Sequence, residues 1–75
     1  DIVVYPKVVE QGADIHLEAA AHNASYSIVA VGGETVAVGH FSGNAAVSSA
    51  MLNKGVYMVT IVADRKRKTE KVIVK

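Results

Sequence analysis

The feature that most constrains this chain is the period of its apolar residues. It is two nearly everywhere, and no apolar stripe at helical spacing is long enough to dock a helix. Alternation of that kind sends successive side chains to opposite faces of a strand. In residues 14–19, Ile15, Leu17 and Ala19 share one face while Asp14, His16 and Glu18 share the other, a strand with one wet side. Residues 25–31 place Tyr26, Ile28 and Ala30 together. Gly32-Gly33 then supplies positive-φ positions for a tight turn, and residues 34–41 are predicted to return with Val36 and Val38 inward. Near the start, Ile2–Tyr5 forms a short apolar run that Pro6 stops, because proline cannot donate to a sheet ladder.

The second half follows the same rule. Ser42-Gly43-Asn44 reads as a turn, followed by a weak strand around Ala45–Ser48. Asn53-Lys54-Gly55 turns the chain into Val56–Ala63, its most apolar stretch. Tyr57, Val59 and Ile61 share one face there, and Val56, Met58 and Val62 share the other with Thr60. Such a strand is either central and covered on both sides or exposes a patch for a partner. The charged segment Asp64–Lys68 is predicted to be the next turn, and residues 69–75 the last strand, with Val72 and Val74 opposite Lys71, Ile73 and Lys75. The expectation is an all-β, Ig-like sandwich of about seven short, mostly antiparallel strands in two sheets.

Seventy-five residues make a single domain, 1–75, that must hold itself together by packing. There is no cysteine, so neither a disulfide nor a thiolate metal site can staple it, and 51% apolar residues make a packed core feasible. No apolar run reaches the roughly 18 residues that span a bilayer. These residues also lack a basic segment followed by an apolar one, so any export signal is expected upstream of Asp1, in a longer protein of which this is the end. The formal net charge of +1 hides a split. Residues 64–75 carry six basic groups against Asp64 and Glu70, whereas residues 1–63 carry Lys7 and Lys54 against five acids.

Little in the sequence points to catalysis. Serines and three histidines are present, but none sits in a nucleophile elbow, and a domain this small is expected to have little room for a pocket of ~300 Å³. His16 and Glu18 are ligand-compatible on one strand face, yet zinc needs three or four converging ligands, so no metal and no cofactor are expected. The run Arg65-Lys66-Arg67-Lys68 has no aromatic among its charges for stacking on bases. It reads as a solvated hairpin tip rather than a nucleic-acid patch.

The last 24 residues carry a more specific pattern. Leu52-Asn53-Lys54-Gly55-Val56-Tyr57-Met58-Val59 is similar to the "L-x-x-G-x-Y-x-V" signature of type IX secretion C-terminal sorting domains. Lys71-Val72-Ile73-Val74-Lys75 resembles that family's terminal "K-V-x-V-K" strand. Upstream, Tyr26-Ser27-Ile28 leading to Gly33 resembles its central hairpin, and Val4-Tyr5-Pro6 its opening "V-Y-P-N-P", with Lys7-Val8 replacing the usual Asn-Pro. All four motifs occur in the family's order over essentially the whole chain.

The resemblance implies a secretion signal on a cargo protein of a Gram-negative, Bacteroidota-type cell. The cargo would pass through the periplasm, cross the outer-membrane type IX translocon, and reach the cell surface or the medium. A sortase-like signal peptidase would remove the domain and replace it with a surface anchor, so the domain would be a substrate and not an enzyme. Lys71, Val72, Ile73, Val74 and Lys75 are the expected translocon-recognition residues, on a strand expected to be an exposed edge or end strand. Tyr5, Pro6, Gly33, Leu52, Gly55 and Tyr57 would hold the fold. The Val56/Met58/Val62 face and the end strand also allow edge-strand self-association. The alternative from composition alone is an Ig-like or fibronectin-like accessory module for adhesion or carbohydrate binding.

Overall fold

The computed structural model describes residues 1–75 and contains eight strands and no helix. They are β1 (Ile2–Tyr5), β2 (Val8–Val9), β3 (Asp14–Ala19), β4 (Ala24–Ala30), β5 (Thr35–Phe41), β6 (Asn44–Ser48), β7 (Gly55–Ala63) and β8 (Lys66–Val74). One sheet has the order β1-β3-β6 and the other β2-β8-β7-β4-β5. Every pairing is antiparallel except β2 with β8, which is parallel. The chain is thus the expected two-sheet β-sandwich, with one strand more than the periodicity showed. Two residues, Val8 and Val9, are too few for alternation to reveal.

The core is what the period-two pattern dictates. Ile15 and Leu17 of β3 meet Ile28 of β4, Val59 and Ile61 of β7, and Val72 and Val74 of β8 between the sheets, all essentially without exposure. Burying each such side chain contributes about 1.5–3 kcal/mol, and this is where a chain without cysteine finds its stability. Ser49 is the single buried polar residue. Its hydroxyl donates to the Ala13 carbonyl at 2.6 Å, with the Glu10 carbonyl at 3.3 Å, and accepts the Gly12 amide at 3.0 Å. One hydroxyl therefore ties the 10–13 turn to the end of β6, in keeping with the rule that buried polar groups are paired.

Two local expectations are corrected. Val36 and Val38 face solvent, at 37% and 69% exposure, and Ala37, Gly39 and Phe41 face inward. The register explains it: a bulge between Ile28 and Val29 sets Ile28 opposite Ala37 and Tyr26 opposite Gly39. The Tyr26 ring covers Gly39 so closely that a Cβ there would lie 2.6 Å from it. The Asp64–Lys68 turn is shorter than predicted. Ala63 pairs with Lys66, and only Asp64 and Arg65 turn the chain, at φ 50° and 67°. Positive φ at both positions is the two-residue hairpin turn that matches strand twist, here without a glycine to announce it. In the β4–β5 turn the glycine does announce it: Gly33 takes φ 99° and donates to the Ala30 carbonyl at 2.8 Å.

Candidate recognition site

The signature residues of the sequence form a corner beneath the last strand. Leu52 is buried, with its amide on the Ser49 carbonyl at 3.0 Å and its carbonyl accepting Gln11 Nε2 at 2.7 Å. Gly55 opens β7 at φ 158° with open space where a Cβ would stand, so backbone conformation rather than crowding distinguishes the position. Tyr57 sinks its ring into the core opposite Val72, and its hydroxyl donates to the Asn53 carbonyl at 2.5 Å. The expected pairing of a core ring with a satisfied hydroxyl is realised.

On this corner rests β8. Val72 and Val74 point into the core, while Lys71, Ile73 and Lys75 point out of the sandwich. The five residues therefore divide into core and surface, as their alternation requires. The expectation of an exposed edge is corrected, however. Val8 and Val9 pair alongside Ile73 and Val74, the Ile73 amide donates to Lys7 O at 2.8 Å, and the Lys75 amide donates to Val9 O at 2.8 Å. Gln11 adds its own amide to the Lys75 carbonyl at 2.9 Å. Over residues 73–75 the last strand presents side chains outward but not a free backbone edge, whereas its first half is paired with β7 alone.

The remaining family residues lie elsewhere. Tyr5 sits on the outer face of the three-stranded sheet, stacked on His16 at 5.1 Å and donating to Glu18 Oε2 at 2.8 Å. That hydrogen bond, with some desolvation and the nearby carboxylate charge, raises the phenol above its ordinary value. Pro6 stands where the chain crosses from one sheet to the other, after a cis Tyr5–Pro6 peptide, and Gly33 caps the β4–β5 turn. What brings the opening motif to the terminal one is Lys7–Val9, the part that departs from the family pattern. Lys7 also reaches Glu70 at 3.4 Å, as does Lys68, whose ammonium donates to the Ile2 carbonyl at 3.1 Å. Lys68 first, and Lys7 with it, hold the Glu70 carboxyl below its ordinary value.

The outer face of the five-stranded sheet is continuous with the outward side of β8. Register aligns Val8, Ile73 and Val56 in one row, and Lys71, Met58 and Val29 in the next. Thr69, Thr60 and Ser27 follow, the two threonine hydroxyls 2.8 Å apart, and then Arg67, Val62 and Ser25. No strand residue on this face is a carboxylate. Asp14 and Glu18 belong to the opposite sheet, Asp1, Glu10, Glu34 and Asp64 lie outside the strands, and Glu70 has the inward parity of β8.

Surface depressions are larger than expected for so short a chain. One of about 630 Å³ opens between 20–23 and 42–43, where it is lined by His22, Ser42 and Asp64 among others. The expectation of little room is thus corrected, although no side-chain hydrogen bond joins those three groups. No group of three or more His, Asp or Glu side chains is placed to hold a metal ion.

The fold is a small two-sheet β-sandwich in which the signature residues brace β8. The chain belongs to the secretion system C-terminal sorting domain family, the type IX sorting domain, whose family model matches residues 3–75. That family is one of sorting signals, not of enzymes. No curated protein matches the chain.

Proposed function

We propose that this domain is the C-terminal address of a longer cargo protein, carried from the periplasm through the outer-membrane type IX translocon to the cell surface or the medium. A sortase-like signal peptidase then removes it, on the N-terminal side of the sandwich, and attaches the cargo to a surface anchor. The observation that carries this reading is the family match over residues 3–75. The structure supports a division of labour within the terminal strand, where Val72 and Val74 hold the fold and Lys71, Ile73 and Lys75 face the machinery.

That division also selects the experiment. Deleting residues 71–75 would strip two core valines and the partner of β2, so loss of export would report unfolding. A periplasm-targeted reporter carrying residues 1–75 at its C-terminus is instead compared with its Lys71→Ala/Ile73→Ala/Lys75→Ala form in a type IX-competent host. Surface display of the first and periplasmic retention of the second, with equal melting temperatures, is the expected outcome. A wild-type fusion that stays in the periplasm overturns the proposal.

A further inference from the structure

We infer that the outer face of the five-stranded sheet is a docking surface for a protein partner whose contact surface is apolar at its centre and acidic at its rim. Three independent observations converge on it. First, the face is apolar where a central strand is ordinarily covered: Met58 and Val62 of β7 are 38% and 41% exposed, and Val8 at its edge is 47% exposed. Second, its charge is of one sign. Arg67, Lys71 and Lys75 project from β8 along one side, four residues or about 13 Å apart. Neither ion pair of the molecule involves them, since both belong to Glu70 with Lys7 and Lys68. Third, the acids are sorted away, with Asp14 and Glu18 on the opposite sheet.

The charge pattern selects the occupant. A second copy docked face to face would bring six cations together with no carboxylate among the strand residues of the face, so self-pairing through it is opposed. A lipid surface is recognised by aromatic and long apolar side chains that enter the headgroup region. This face has no aromatic, and Met58 is its one long unbranched apolar side chain: Tyr57 is buried, Tyr26 and Phe41 are turned inward, and Tyr5 is on the other sheet. What remains is a protein with carboxylates flanking an apolar patch, the complement that neutralises Arg67 and Lys71 while covering Met58. Strand spacing and rise give the face an area on the order of 500 Å². That is the scale of a transient encounter rather than a permanent complex, where standard interfaces take about 800 Å² from each partner.

The biological role of this partner, a component met on the export route, rests on the sorting reading; the chemistry of the face does not. Two measurements separate them. In the first, the ¹⁵N-labelled chain is titrated with a twelve-residue peptide alternating glutamate and valine. Shifts are expected at Met58, Val62, Thr69 and Lys71, with at least tenfold weaker binding for Arg67→Glu or Met58→Asp. Equal shifts from a lysine–valine peptide, shifts centred on β1, β3 and β6, or none at all would overturn the inference. So would co-flotation of the chain with phosphatidylglycerol vesicles through this face, which would make the occupant a lipid. In the second, the same two variants are placed in the reporter fusion, beside Glu18→Lys on the opposite sheet as control. Both lie outside residues 71–75, so a tenfold loss of surface display with retained folding and an unaffected control identifies the face as the one read. Normal export of both variants removes it from the route. Failure of the wild-type fusion defeats the sorting reading instead and leaves the peptide titration to decide the surface.

Discussion

The amide of Ile73 donates to the carbonyl of Lys7 across 2.8 Å, so the end of the last strand is closed by the beginning of the chain. Only Val8 and Val9 run beside β8, which leaves its first half with β7 alone. By strand alternation the amides of Arg67, Thr69 and Lys71 point to the same side as that of Ile73, but with no strand to receive them. Native-state hydrogen exchange is therefore expected to step within one strand. Ile73 and Lys75 should be protected by at least an order of magnitude more than Arg67, Thr69 and Lys71. Uniformly fast exchange along that side would show that the β2 pairing does not persist in solution.

Replacing Ser49 by alanine should destabilise the domain by about 1–3 kcal/mol, because the Gly12 amide and the Ala13 carbonyl each lose a hydrogen bond to the buried hydroxyl. For a domain of this size that corresponds to a fall in Tm of several degrees up to about 20 °C. Calorimetry or thermal circular dichroism measures it. A Tm within a degree of wild type would mean that water replaces the hydroxyl.

Arg65→Gly should act in the opposite direction. Arginine at φ 67° carries a steric penalty that glycine does not, and Asp64 before it completes the aspartate–glycine pair that two-residue hairpins favour. A gain of about 0.5–1 kcal/mol in urea unfolding is expected. The opposite sign would point to a contact of the arginine side chain outweighing its strain.

Glu70 sets an acid dependence. Its carboxyl is held below the ordinary value by Lys68 and Lys7, so its contribution to stability is in full force above the unfolded-state value near 4.5 and disappears as pH falls through the lower folded-state value. Wild type should lose more of its urea midpoint between pH 5 and pH 3 than Glu70→Gln does. The difference should shrink in high salt, because the carboxyl is open to solvent. Equal losses in the two proteins would show that the two lysines do not bind the carboxylate in solution.

How far the sequence could be read follows from what each element depends on. β3, β7 and β8 are long, alternate cleanly, and bury the residues their parity names. The faces of β5 could not be read that way, because an extra residue in β5 opposite the Ile28–Val29 step, Val36, shifts the register and a tyrosine ring fills the space over Gly39. The 64–65 turn escaped because its positive-φ residues are an aspartate and an arginine, and β2 because two residues make no period. For β8, the core and surface halves were legible from alternation. Its closed edge was not, since a parallel pairing between residues 8 and 73 is set by the path of the chain and not by any local pattern. The charge sorting between the sheets was hidden for the same reason: it appears only after parity and sheet membership are both known.

The parallel contact of β2 with β8 also has a kinetic consequence. Strands that close over 64 intervening residues cannot zip up from a local hairpin, and contacts of such separation slow folding. A nascent chain lacking residues 72–75 has neither the inner valines of the second sheet nor the strand against which Val8 and Val9 lie. The sandwich therefore closes late and as one cooperative unit, once residues 8 and 73 can meet.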